Sequence, residues 1–426
     1  MSSYNLAGGL NVTAMNTLSQ RLYTALYPAV FSKTLKIDSD PAVTVTYDIK
    51  QALAFDFSPS EISQNFLKEY IDEKFEKPED RTQAYEYVKS DVVTLGVEVS
   101  AIDLSIEKKP GDEPALANAS IRGGAIVKFS QENEMFVEIV KAEMKTPDDF
   151  DVSAEMINTL VLPSILEDLN KLLNEGFKIP PLDLGAITLS PPKLAIQDKT
   201  LVAVTALAEQ GATEATASAP WPENRFFAGF DKQLINAVLK TFESSLYKSD
   251  HIEGAIIVVP VFANYSVGLR DLDFNIGKGN AGSLGFHATG GGSVGINMGL
   301  FTVDLGFRVS ADPTANVALE VVGNDVQFVV QSVVDFVPVI TFTFIPDIVS
   351  HMISGVINFL TSPIQMMISN LIIGGLSGSM LTLQPIPVEI DGKSITISLN
   401  DMKINSIADS TGRPLLVVES DMNVVA

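Results

Sequence analysis

The residues able to do chemistry in this 426-residue chain are three histidines, one serine in a glycine-rich run, one lysine between glycines and two acidic clusters. His251, His287 and His351 are far apart and show neither His-x-x-x-His nor His-Glu-x-x-His spacing, so the paired imidazoles of a helical zinc site are missing. Gly291-Gly292-Ser293-Val294-Gly295 has the residue order of a nucleophile elbow. That device needs a strand, a sharp turn and a helix, whereas the pattern around Ser293 predicts strands and turns on both sides. Gly277-Lys278-Gly279 lacks the phosphate-loop spacing and the Ser or Thr that follows its lysine. Glu76, Glu79 and Asp80, and the run Asp148-Asp149 with Asp151, carry no EF-hand loop and read as solvated charge. The expectation is a protein without catalytic residues, metal or cofactor. A hydrolase acting through Ser293 is the enzymatic alternative.

Composition narrows the partners. The formal charge of -23 repels phosphate backbones and anionic membrane faces, which argues against nucleic acid. The absence of cysteine removes disulfides and thiolate sites together. Met1 to Leu18 carry no Lys or Arg, so no basic signal-type leader is read. The expected location is cytoplasmic, or outside the cell by release without a classical signal. From Ile348 to Val388 there is no formal charge, yet Ser350, Asn358, Thr361, Ser362, Pro363, Gln365, Ser369 and Asn370 interrupt the apolar run. A transmembrane helix is not expected there.

Several elements would have to position any site. Met15, Leu18, Leu22 and Leu26 recur at helical spacing over 10–27, up to Pro28. Val43, Val45, Tyr47 and Ile49 alternate as a strand does. Ser58-Pro59-Ser60-Glu61 forms a capping box opening a helix that ends before Pro78. Alternation over 92–106 slips phase between Val99 and Ile102, as at a bulge. Strands are predicted around 121–129 and 136–142, a long helix over 153–175, a break at Pro180-Pro181 and a strand over 194–206. The segment 209–222, ending near the single Trp221, reads as a linker. Beyond it come a helix over 231–247, glycine-rich strands over 254–344, a very apolar helix over 347–374 and strands over 386–420.

The order of elements repeats, and so do residues. Asn16, Leu18, Leu22, Leu26 and Tyr27 match Asn236, Val238, Phe242, Leu246 and Tyr247. Ile157-Asn158-Thr159-Leu160-Val161-Leu162-Pro163 matches Ile357-Asn358-Phe359-Leu360-Thr361-Ser362-Pro363, with Asn170 matching Asn370. Residues 187–201 align without gaps on 381–395. Interior proline costs about 3 kcal/mol in a helix, so its presence in both copies predicts a bend in each. The expected domains are 1–208 and 223–426, joined by 209–222. In the helix over 347–374, Ile357, Leu360, Met366, Met367 and their neighbours cover more than one stripe. Such a surface must be buried in protein, at a subunit interface, in a membrane or against lipid.

With these motifs the chain resembles the tubular lipid-binding (TULIP) superfamily, whose best-known members are bactericidal/permeability-increasing protein, lipopolysaccharide-binding protein and the cholesteryl ester and phospholipid transfer proteins. The resemblance is sharpest at Leu189-Ser190-Pro191-Pro192-Lys193-Leu194 and Leu383-Gln384-Pro385-Ile386-Pro387-Val388, each following its long helix. It implies an α+β fold of two tandem elongated modules, each with long helices packed along a strongly curved antiparallel sheet. It also implies lipid, either phospholipid or fatty acid, bound in apolar grooves between helix and sheet, with lipid transfer as a further expectation. The expected lining is Met15, Leu18, Leu22, Leu26, Ile157 and Leu160 in the first groove, and Val238, Phe242, Leu246, Ile357, Leu360, Met366 and Met367 in the second. Without cysteine or a signal-type leader, the chain looks more like bacterial TULIP proteins, including those encoded beside botulinum neurotoxin genes. Bactericidal activity is not implied. Transient membrane contact and a protein partner are further expectations. The alternative is an assembly component, in a toxin-associated or other complex, whose apolar helix packs on another subunit.

Overall fold

The computed structural model describes residues 4–37, 43–58, 61–109, 111–129, 135–176, 187–210, 218–376 and 379–425. Pro59 and Ser60 of the capping box, Pro180-Pro181 and the centre of the 209–222 linker lie outside the described residues. In the first half the elements are β1 (Leu6–Asn11), α1 (Val12–Leu26), β2 (Ser32–Ile37), β3 (Val43–Ile49), β4 (Ala54–Asp56), α2 (Glu61–Lys74), α3 (Pro78–Asp91), β5 (Val93–Glu107), β6 (Ala115–Phe129), β7 (Met135–Lys145), α4 (Ala154–Met156), a π-helical turn (Ile157–Val161), α5 (Leu162–Gly176), β8 (Lys193–Gln197) and β9 (Thr200–Thr205). The second half has β10 (Phe226–Asp231), α6 (Lys232–Phe242), β11 (Tyr247–Ile256), β12 (Val259–Ile276), β13 (Ala281–Asn297), β14 (Thr302–Ala311), β15 (Thr314–Val322), β16 (Asp325–Val333), β17 (Val339–Phe342), a 3-10 turn (Asp347–Met352), α7 (Ile353–Gly375), β18 (Ser379–Thr382), β19 (Ile386–Ile390), β20 (Lys393–Ala408) and β21 (Pro414–Val425). The fold is α+β, with long helices lying along curled antiparallel sheets.

A seven-stranded sheet in the order β19-β20-β21-β10-β1-β9-β8 joins the halves. At its centre β1 and β10 run antiparallel, with Leu6 opposite Phe230 and Leu10 opposite Phe226. Each strand feeds directly into a helix, capped by Asn11 accepting from Ala14 N at 2.8 Å and by Asp231 accepting from Leu234 N at 2.9 Å. Because the two strands are antiparallel, α1 and α6 leave the sheet in opposite directions, which sets the two helix-and-sheet bodies on opposite sides of the joint. Gly9 permits the close strand contact there, since a Cβ would lie 2.1 Å from the carbonyl oxygen of Leu201.

The joint is exchanged as well as shared. Val388, Ile390, Ile395 and Ile397, from the C-terminal strands, complete the core beneath α1 and α5. Leu6 is buried in the core of the second half. Asp391, in the β19–β20 turn, accepts from Lys33 Nζ at 2.6 Å and Lys171 Nζ at 2.7 Å, binding that turn to the first half. At the other side of the sheet Arg413 donates to Tyr4 O at 2.6 Å and Asp231 at 3.3 Å, while Asn5 donates to Asp231 at 2.9 Å. Trp221 stacks on Phe227, with centroids 4.7 Å apart, and closes one face.

In the first half β2, β3, β5, β6 and β7 form a sheet in that order, with β4 also on β5. Strand β3 buries Val43, Val45, Tyr47 and Ile49, and β5 shifts register between Val99 and Ile102, where the alternation slips in the sequence. In the second half β13 pairs β12 along one edge, and its other edge is divided between β15 (281–285) and β14 (288–297). The glycines of β13 make this tight packing feasible: a Cβ on Gly292 would stand 2.0 Å from the carbonyl oxygen of Asn264.

Three elements differ from expectation. Helix α2 ends at Lys74, before Pro78 as expected, but a further helix, α3, begins at that proline, since proline fits the first turn of a helix as well as it stops the preceding one. The single strand expected over 194–206 is the hairpin β8–β9, turned by Asp198 and Lys199, both at positive φ. Its counterpart β19–β20 turns at Asp391 and Gly392, one residue out of step with the gapless alignment of 187–201 on 381–395. The long helix over 153–175 is divided by the π turn just before Pro163.

Candidate functional site

Twelve of the thirteen residues expected to line grooves sit on four helical segments, and Leu246 lies between the 3-10 turn after α6 and β11, beyond the helix expected over 231–247. Met15, Leu18, Leu22 and Leu26 make the inner stripe of α1, all 5% exposed or less, and Ile157 joins them from the π turn. Leu160 is 37% exposed: Ile157 and Val161 on either side of it take the inward positions, and the wider turn carries Leu160 outward. Val238, Leu246, Leu360 and Met367 are buried in the second core, Phe242 is half-buried against it, and Ile357 is half-buried on α7. Met366 is 61% exposed because Ile364, Met367 and Ile368 occupy the inward positions of that turn. The structure thus divides the thirteen between two separate cores and turns Leu160 and Met366 to the outside.

Helix α7 lies in the concave side of the second sheet. Val356, Leu360, Ile364, Ile368 and Ile372 face inward and are fully buried. Ile353, Ile357, Phe359 and Leu371 lie half-buried along its flanks. On the outer side stand Ser354, Asn358, Ser362, Met366 and Asn370, small or uncharged throughout. Against β11 the helix is closely fitted: a Cβ on Gly254 would meet the Phe359 ring at 2.7 Å, and one on Gly355 would meet Ile256 Cγ2 at 2.7 Å. The stretch Asp347–Gly375 is long and apolar enough to cross a membrane by length and composition.

The helices of the first half are fastened differently. Asn158 Oδ1 accepts from Met144 N at 2.8 Å, and its amide donates to Met144 O at 3.3 Å. Asn170 does the same to Ile139, at 2.7 and 3.1 Å. Both bonds fall on β7, an edge strand whose outer backbone groups have no neighbouring strand. Asn16 brackets Phe55 in β4 at 2.7 and 3.0 Å, and Asn236 accepts from Phe274 N at 2.8 Å in β12. Asn358 and Asn370, the sequence counterparts of Asn158 and Asn170, are exposed. Within α7, Thr361 Oγ1 donates to Ile357 O at 2.7 Å. Sequence matching marks these asparagines as repeated positions; the structure shows Asn16, Asn158, Asn170 and Asn236 bonded to strands and Asn358 and Asn370 standing exposed.

The groups with chemical potential are dispersed. Ser293 lies in mid-strand in β13, opposite Asn264 and Gly306. His251 bonds Asn264 at 2.7 Å and Glu253 at 3.1 Å, and the carboxylate holds its imidazolium above the ordinary histidine range. His287 bonds Asp312 at 2.6 Å. Glu79 and Asp80 occupy the first turn of α3, where carboxylates complement the helix dipole. Asp151 pairs with Lys108 at 2.9 Å. Among the described residues no three His, Asp or Glu side chains come together in a way that could hold a metal ion.

No family model matches the chain, and no curated protein matches it. Solved structures do. The crystal structure of P47 of Clostridium botulinum E1 aligns with 8% identity and a TM-score of 0.44 over 99% of this chain and 100% of that one. P47 from Clostridium botulinum A2 aligns with 8% identity and a TM-score of 0.41 over 98% and 97%. Lipopolysaccharide-binding protein aligns with 8% identity and a TM-score of 0.39 over 99% of both chains.

Proposed function

We propose that the protein binds lipid without catalysis, an acyl chain lying along α7 in the concave side of the second sheet. One observation carries this reading: α7 presents a wide apolar surface to the sheet, has no charge from Ile348 to Val388, and is held there by apolar packing rather than by the asparagine stitches that fasten α5. Helix and sheet can then separate slightly without breaking directional bonds. An acyl chain entering the flanking seam replaces apolar contact with apolar contact and leaves water, gaining about 25 cal/mol per Å² buried. Ile353 and Leu371, half-buried against the core, and Ile357, half-buried beside them on α7, are the residues such a chain would meet first. Phospholipid and fatty acid are both suitable occupants, because the seam reads the tail rather than the headgroup.

On this reading α7 is a covering helix and not a membrane span, since leaving the sheet would uncover five fully buried side chains. Native mass spectrometry of the purified full chain, with titration by a fluorescent fatty acid, tests the proposal. The expected result is copurified or exchangeable lipid, with Ile357→Gln lowering fatty-acid affinity and leaving the melting temperature nearly unchanged. Repeated absence of both copurified lipid and fatty-acid binding would remove it. Ester turnover that disappears in Ser293→Ala would replace it with an enzymatic function.

A further inference from the structure

Three connections of the second half meet at one end of its sheet. Ile256 pairs with Val259, so Ile257-Val258 is the two-residue turn between β11 and β12. Asn297 pairs with Thr302, so residues 298–301 turn between β13 and β14. Val261 opposite Ile296 sets these turns side by side. A hydrogen bond from Thr343 N to Gly306 O at 2.9 Å continues the β14–β17 pairing toward the same end, which brings Phe344 and Ile345 there.

What these turns expose is unusual. Leu300 is 97% exposed, Ile257 94%, Val258 84% and Phe344 72%. Single exposed apolar residues are ordinary, but a connected set of this size marks an interaction surface. Residues 254–262, 294–303 and 336–346 contain no Asp, Glu, Lys or Arg. The charges directly flanking them are the exposed carboxylates Glu253, Asp304, Asp335 and Asp347.

Backbone geometry adds an independent observation. Ile257 has φ +60°, at the first of two turn positions, where glycine is the ordinary occupant. A β-branched residue there is strained, and the strain holds a bulky apolar group at the apex. The neighbouring turn solves the same problem conventionally. Gly299 takes φ +88° and donates its N–H to Asn297 Oδ1 at 2.8 Å, leaving Leu300 projecting.

We propose that this end is a membrane-docking tip for a zwitterionic phospholipid bilayer, with Ile257, Val258, Leu300, Phe301 and Phe344 entering its interface. Charge selects the partner. A chain of net charge -23 is repelled by anionic lipid, and Asp304 and Asp347 reinforce that repulsion locally. A charge-free apex meets a neutral bilayer without the penalty. A protein partner would ordinarily find a polar rim of hydrogen-bonding side chains, and residues 254–262 offer none. The proposal extends the lipid-binding reading by naming the surface from which lipid is drawn, because the same end adjoins the start of α7.

The experiment is cosedimentation of the full chain with phosphatidylcholine vesicles, and with vesicles in which part of that lipid is replaced by phosphatidylserine. Wild-type protein is expected to bind the former, and the latter more weakly. The triple variant Ile257→Gly, Leu300→Ser, Phe344→Ser is expected to lose on the order of a hundredfold in partition, given the apolar groups removed. Its melting temperature should hold, because glycine at 257 relieves strain. Equal binding of variant and wild type, preference for phosphatidylserine, or no vesicle binding at all would overturn the tip. So would a wild-type dimer that the variant converts to monomer, which would assign the patch to a second copy. Lipid in native mass spectra reports on the α7 seam separately: its loss with vesicle binding intact sinks the seam and leaves the tip, and the reverse sinks the tip alone.

Discussion

Replacing Asn170 by alanine measures how differently the two long helices are attached. Asn170 Oδ1 accepts the Ile139 N–H at 2.7 Å and its amide donates to Ile139 O at 3.1 Å. Ile139 is 4% exposed and lies on edge strand β7, so water does not readily replace either bond. At about 1 kcal/mol net for each bond, with part of a desolvation cost for the groups left unpaired, Asn170→Ala should destabilise by roughly 2–3 kcal/mol. Asn370→Ala, at the matching position of α7, removes an exposed side chain and should stay within about 0.5 kcal/mol of wild type. Urea midpoints give the global effect, and hydrogen exchange at the Ile139 amide gives the local one. Faster exchange at Ile139 in Asn170→Ala, with no change across α7 in Asn370→Ala, is the expected pair. Equal destabilisation by the two substitutions, or an Ile139 amide that stays protected, would refute the claim that α5 is stitched and α7 is not.

Asp391 predicts an acid dependence. Lys171 and Lys33 hold its carboxyl below the usual range, so its contribution is fully present above the unfolded aspartate pKa and lost as pH falls through the folded one. The urea midpoint should therefore drop on acidification below about pH 4, and Asp391→Asn should flatten that drop. Burial pushes the Tyr4 hydroxyl up to about 12, so its contribution is complete below the unfolded value and lost as pH rises through the folded one. Absorbance titration should show Tyr4→Phe removing a late-ionising tyrosine rather than one near pH 10. Gly292→Ala drives a Cβ into the Asn264 carbonyl and should cost several kcal/mol or prevent soluble expression, whereas Gly374→Ala meets open space and should be neutral or stabilising by up to about 1 kcal/mol.

Periodicity revealed what periodicity encodes. The stripe Met15, Leu18, Leu22, Leu26 is the buried face of α1, and the phase slip at Val99–Ile102 is a true register shift. It does not mark turns that lack Gly and Pro. Asp198-Lys199 offers only a single aspartate as a turn signal between two apolar runs, and Ile257-Val258 is as apolar as the strands it joins, so the hairpin β8–β9 reads as one strand and the exposed tip as part of another. Exchange at the joint is hidden for a different reason. That Ile390 and Ile395 belong beneath α1 and α5 depends on strand neighbours about two hundred residues distant, and local pattern carries no such information. The outward turn of Leu160 depends on one extra residue in a helical turn, which an ideal helical spacing does not anticipate.

The two halves share a joint and each stitches its first helix with an asparagine, Asn16 in α1 and Asn236 in α6, yet they differ in how their sheets hold the later long helices α5 and α7. In the first half amide side chains bind α1 and α5 to β4 and β7, and ion pairs from Lys33 and Lys171 fix the β19–β20 turn against it. Every such bond has a required distance, so opening that half would break several at once. In the second half α7 rests on contacts among Val356, Leu360, Ile364, Ile368 and Ile372, which weaken gradually with separation and have no required direction. The start of α7 follows the apolar apex formed by Ile257, Leu300 and Phe344. On the lipid-binding proposal, a surface that admits an acyl chain needs non-directional contacts and one that meets a bilayer needs apolar groups at an apex, and the second half combines the two.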